Sequence, residues 1–100
     1  GSAVAFALVL GRLCDELVLV GRTPESGAGD AADLTHASVF EQKMVIRSAD
    51  VAAVAGSDVV VVTASGKRAE RPDRMLEAKA NETLMADLAQ RLARACAGAV

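Results

Sequence analysis

The hydrophobic residues of this chain fall into short, uninterrupted runs that small and polar residues separate. The run DVVVVT at 58–63 places apolar residues on both faces of any strand it forms. Strands that are apolar on both faces are typical of a parallel α/β sheet with helices on each side. The pattern therefore predicts a buried strand at 58–63, and the short apolar run ELVLV predicts a further strand at 16–20.

The remaining periodicity predicts one further strand and several helices. QKMVIR at 42–47 alternates weakly between charged flanks, which favours a strand near a sheet edge. Helices are predicted at 1–13, about 30–39 and about 72–97, and a helical turn or two at 50–55. Helix and strand alternate in this order, so the fold class is α/β.

Composition limits the size and class of the protein. One hundred residues suffice for one modest domain, so we expect residues 1–100 to form a partial domain with no second one. The chain is 52% hydrophobic but only 2% aromatic, so Val, Leu and Ala must build the core. A net charge of −2 gives no electrostatic reason to expect nucleic acid or a membrane surface as partner.

Cysteine and histidine usage argues against a metal site. Cys14 and Cys96 lie far apart without a CxxC spacing, and the one histidine, His36, has no second ligand near it in sequence. We expect both cysteines to be reduced core residues, and His36 to be a packed or surface residue. Because no apolar run reaches the roughly 18 residues of a membrane span, the chain is expected to be cytoplasmic.

The segment after the valine run has a dense positive charge. Four basic residues fall within eight positions: Lys67, Arg68, Arg71 and Arg74. Guanidinium groups bind a carboxylate or phosphate through two parallel hydrogen bonds. Ligands of open α/β sheets bind outside the carboxyl ends of the strands, so we expect a site between residues 63 and 81. Glu70 and Asp73 interleave with the basic residues, so a solvated loop with surface ion pairs stays an alternative.

Five segments of the chain form a specific combination when they are taken together. They are GSAVAFAL, DELVLV, GDAADLTHA, DVVVVTASG and the spaced set Arg68, Arg74 and Asn81. In this order the combination resembles the amino-terminal, nucleotide-binding half of the malate/lactate dehydrogenase family, over essentially the whole chain. The resemblance implies an incomplete Rossmann-type doubly wound parallel sheet. Its first strand would precede Gly1, and the chain would end after the helix that follows the fourth strand.

The resemblance also implies a nicotinamide dinucleotide, NAD or NADP, with its pyrophosphate at the amino terminus of the first helix. The cofactor-binding residues that it implies are Gly1, Gly21, Arg22, Thr63, Ala64, Ser65, Gly66 and Asn81. In the family the second strand usually ends in an Asp that binds the adenosine ribose, where this chain has Gly21 followed by Arg22. Loss of the carboxylate beside a guanidinium suits a 2′-phosphate, so both cofactors stay open.

The substrate residues that the resemblance implies are Arg68 and Arg74. Arg74 matches the arginine that polarises the substrate carbonyl, and Arg68 matches the selectivity position at the far end of the substrate. An arginine at 68 suits the second carboxylate of malate or oxaloacetate, whereas lactate-type members place a neutral residue there. The implied activity is therefore hydride transfer between the cofactor and a small 2-hydroxy acid, with malate preferred.

Three alternatives to the malate prediction stay open, namely a lactate dehydrogenase, a non-catalytic nucleotide-binding or assembly module, and an NAD-dependent glycosidase of the same fold. The family's His and Asp proton relay is expected beyond Val100, and His36 lies on the wrong element to replace it. We therefore expect these hundred residues to be inactive alone, and the full-length protein to be a homo-oligomer.

Overall fold

The computed structural model of the protein describes residues 1–38, 44–66 and 74–100. The chain divides into two compact units, 1–54 and 55–100. The first unit contains a parallel sheet with two helices, and the second contains one long helix. The expectation of one partial domain over the whole chain stays a prediction.

The first unit is a strand-helix-strand arrangement that a further helix precedes. Its elements are α1 Ser2–Leu10, β1 Glu16–Val20, α2 Ala28–Ser38 and β2 Val45–Ala49, with short 3₁₀ helices at Pro24–Gly27 and Val51–Val54. The two strands are parallel, with Glu16 opposite Val45 and Val20 opposite Ala49. Parallel neighbours need a crossover connection, and α2 lies within it, so this is the βαβ unit of doubly wound sheets.

The core of the first unit lies on one face of β1, because successive side chains of a strand point to opposite faces. Leu17 and Leu19 point to the same side of β1, and Ile46 lies opposite Leu17 in the register. These residues pack against a cluster of buried helix residues, namely Ala5, Val9 and Leu34. Ala5 belongs to this cluster, and its small side chain allows α1 to approach the sheet closely.

The helix boundaries differ slightly from the prediction. α1 ends at Leu10 rather than at 13, because Arg12 adopts a positive φ of 53°. The amide of Leu13 then bonds to the carbonyl of Leu8 at 3.1 Å, which closes the helix end. Before α2, the 3₁₀ helix Pro24–Gly27 leads directly into the α-helix, which begins at Ala28 rather than at about 30.

The segments on either side of β2 match the prediction in type. β2 begins at Val45 rather than at 42, and the predicted residues Gln42 and Lys43 lie outside the described residues. The predicted helical turn after it is the 3₁₀ helix Val51–Val54, where Ala52 N donates to Asp50 Oδ1 at 2.9 Å. Asp50 therefore caps this turn.

The second unit is built on α3, which spans Arg74–Ala95. The predicted start at Pro72 lies outside the described residues. Three leucines of α3 recur at intervals of four residues and are half-buried, namely Leu84, Leu88 and Leu92. Leu76, two turns before Leu84, is 62% exposed.

The prediction of a buried strand at 58–63 is wrong. Residues 59–66 have no regular secondary structure, and Val59 and Val61 are 64% and 56% exposed. In the described part of this unit, Val60 N donates to Val100 O at 2.9 Å and Val100 N donates to Asp58 O at 3.0 Å. A strand needs a ladder along its length, and this single point of pairing does not provide one.

Candidate cofactor-binding site

The turn at 63–66 lies directly on α3. The backbone N–H of Gly66 donates to Asn81 Oδ1 at 2.6 Å, in a half-buried position. A Cβ on Gly66 would lie 3.2 Å from this oxygen and 3.3 Å from Ala80 Cβ, so a larger residue would press against the helix. Thr63, Ala64 and Ser65 are solvent-exposed. The structure thus brings Gly66 and Asn81 together and leaves the surface of the turn accessible.

Of the two predicted substrate residues, the structure describes Arg74 but not Arg68. Arg74 is the first residue of α3 and is exposed, two helical turns before Asn81 on the same face. Arg68 lies outside the described residues.

Sequence reasoning missed one group on this helix face. Glu77 lies three residues after Arg74, and its Oε1 is buried without a hydrogen-bond partner among the described residues. A buried carboxylate oxygen without a donor is costly, so this atom suits a ligand that brings a hydroxyl or amide N–H. A nicotinamide nucleotide carries donors of both kinds. The helical spacing from Arg74 is the signal that could have identified Glu77.

The end of β1 lacks the space for a side chain at the predicted ribose position. A Cβ on Gly21 would overlap with Ser26 Oγ. The Ser26 hydroxyl is held by Thr23, because it donates to Thr23 O at 2.7 Å and accepts from Thr23 N at 3.4 Å. Arg22 follows and is exposed. Ser26 therefore fills the volume that a strand-end carboxylate would need.

The same turn stabilises a negative charge. Hydrogen bonds from the backbone of Glu25 itself and from the side chain of Thr23 lower the pKa of the Glu25 carboxyl. Glu25 is exposed, and it is followed by the amino terminus of α2. Backbone N–H groups in this turn thus bind an anion that the chain itself supplies.

The amino terminus of α1 is the predicted pyrophosphate site. Gly1 caps the helix, and the first intrahelical bond runs from Ala5 N to Gly1 O at 3.0 Å. The N–H groups in the first turn of α1 have no intrahelical acceptor, so this end of the helix favours an anion. The hydroxyl of Ser2 donates to Asp30 Oδ2 at 2.8 Å, so the first residue of α1 is joined to the first turn of α2.

Other chemistry is not apparent in the described residues. They contain no group of three or more His, Cys, Asp or Glu side chains that could hold a metal ion. His36 is exposed in the last turn of α2. None of the helices in the described ranges has the length and hydropathy to cross a membrane.

A parallel βαβ unit, preceded by a helix whose amino terminus is open to an anion, defines a Rossmann-type α/β protein of the nucleotide-binding kind. Comparison with known proteins identifies the group. The chain belongs to the lactate/malate dehydrogenase family, since residues 1–100 match the NAD binding domain of that family.

The proteins that this chain resembles include both lactate and malate dehydrogenases. The L-lactate dehydrogenase 1 of Clostridium acetobutylicum is 38% identical over 72 residues, which are 72% of this chain and 22% of that protein. The malate dehydrogenase of Archaeoglobus fulgidus in complex with NADH has a TM-score of 0.85 and 29% identity, covering 99% of this chain and 34% of that one. The lactate dehydrogenase of Eimeria maxima with NADH and oxamate has a TM-score of 0.87 and 26% identity, covering 99% and 30%.

These comparisons confirm the family and the incomplete Rossmann-type α/β fold. The chain spans between about a fifth and a third of the length of these relatives. It is part of an oxidoreductase family and corresponds to the NAD-binding domain. Both lactate and malate dehydrogenases are among the matches, so the comparisons do not resolve the substrate.

Proposed function

We propose that this chain forms the cofactor-binding part of a dehydrogenase that transfers hydride between a nicotinamide cofactor and a small 2-hydroxy acid, with malate preferred over lactate. The observation that carries the proposal is the hydrogen bond from Gly66 N to Asn81 Oδ1. It joins two segments that the family resemblance assigns to the same cofactor. A turn fixed in this way is preorganised for a ligand that lies along it.

The family resemblance assigns cofactor-binding residues to each of the two units. The cofactor pyrophosphate would bind the open N–H groups after Gly1, and Gly21 and Arg22 would face the adenosine. Thr63 to Gly66 and Asn81 would contact the nicotinamide end. NAD and NADP are both compatible with these residues, and the NADH complex of the Archaeoglobus fulgidus relative supports NAD.

The substrate would be a dicarboxylate, bound by Arg68 and Arg74. Arg74 would polarise the substrate carbonyl, and Arg68 would form two charge-assisted hydrogen bonds with the second carboxylate. A guanidinium at 68 would have no comparable partner on pyruvate, so it favours oxaloacetate and malate. The support for this step is the identity of residue 68 in the sequence.

The alternative is a lactate dehydrogenase, which the Clostridium acetobutylicum relative favours with its 38% identity. Ligand binding tests both without requiring turnover. Calorimetric titration of the chain should detect NADH, and the complex with NADH should bind oxaloacetate at least about tenfold more tightly than pyruvate. Arg68→Gln should remove this preference, whereas Lys67→Gln, a matched loss of one neighbouring charge, should keep it. A wild-type preference for pyruvate would contradict the malate assignment.

Catalysis and assembly are further parts of the proposal. We expect no NADH oxidation by these hundred residues with either oxoacid, because the proton relay of the family is not assigned to any of them. The full-length protein is expected to be a cytoplasmic homo-oligomer. Measurable turnover by the chain alone would contradict the first expectation.

A further inference from the structure

We draw no further inference here: the strongest candidate, the carboxylate of Glu77 near the start of α3, whose Oε1 is buried without a hydrogen-bond partner among the described residues, belongs to the candidate cofactor-binding site already described, and nothing in the described part of the chain indicates another ligand for it.

Discussion

Replacing Asn81 by leucine tests whether the turn at 63–66 is held by α3. The substitution keeps approximately the volume of the side chain but removes Oδ1, the acceptor of the Gly66 N–H. Both residues are half-buried, so water cannot fully replace the lost acceptor. An N–H group left without a partner in such a position costs about 1 to 3 kcal/mol. This cost falls on the closed conformation of the turn, which should therefore open more often.

Amide hydrogen exchange at Gly66 measures this opening directly. Each 1.4 kcal/mol corresponds to a factor of about ten, so Asn81→Leu should accelerate exchange of the Gly66 amide by about five- to 140-fold. The amides of β1 belong to the other compact unit and serve as an internal reference. The same variant should bind NADH more weakly if the turn contacts the cofactor as proposed.

Two control variants make the result specific. Asn81→Asp retains an acceptor oxygen and should keep most of the protection of the Gly66 amide. Thr83→Val removes a different side-chain bond of the same helix, from Thr83 Oγ1 to Lys79 O at 3.2 Å, and should leave Gly66 unaffected. If exchange at Gly66 is the same in wild type and in Asn81→Leu, the hydrogen bond does not hold the turn.

Three further predictions concern the first unit. Gly27→Ala would place a Cβ 2.6 Å from Ser48 Oγ, so it should lower the free energy of unfolding in urea by about 1 to 3 kcal/mol. If the losses of Gly27→Ala and Ser48→Ala are additive in the double variant, this contact is contradicted. Glu16→Gln breaks the ion pair with Arg47, in which Nε lies 2.8 Å from Oε1. Because both side chains are about half exposed, the free energy of unfolding should change by less than about 1 kcal/mol. A larger loss would mean that the pair is desolvated. The lowered pKa of Glu25 stabilises the folded state above the ordinary glutamate pKa, and this contribution is lost as the pH falls through the lowered value. Glu25→Gln should therefore weaken the acid dependence of stability, and an unchanged dependence would refute the shift.

The first unit shows what the hydrophobic pattern can predict. β1 has the predicted bounds, because ELVLV supplies leucines on one face and valines on the other. The predicted helix at about 30–39 is present as α2, and its apolar residues Ala31 and Leu34 are buried. Local preference and burial agree in these elements, and such agreement makes a sequence predictive. The 3₁₀ helix before α2 was missed because its turn depends on Ser26 and Thr23 bonding to each other.

The valine run shows where the same reasoning fails. Four consecutive valines indicate how apolar a strand would be, but they carry no information about the strand that pairs with it. In the described residues of the second unit, pairing is limited to the bonds with Val100, and Val59, Val61 and Val62 stay exposed. A pattern of burial therefore predicts a strand only where the rest of the sheet supplies its ladder.

The candidate site was also predicted only in part, because a sequence pattern indicates local geometry but not contacts between distant segments. Spacing placed Arg74 and Asn81 on one face of α3, because helical periodicity is a local property. The role of Asn81 toward Gly66 depends on a contact between residues 15 positions apart, which spacing within one helix cannot supply. The family resemblance assigned Gly66 and Asn81 to one cofactor, but it did not indicate that these two residues are in contact.

Two glycines show the physical reason for these close contacts. Gly27 is approached by the side chain of Ser48, and Gly66 by that of Asn81, each from a different element of its unit. In both places a polar side chain reaches the backbone because no Cβ stands between them. A sequence shows such a glycine but not the side chain that uses the space, since that side chain lies far away along the chain. At Gly66 the contact bears on the proposed function, because the Asn81 side chain bonds to the turn along which the cofactor is proposed to lie.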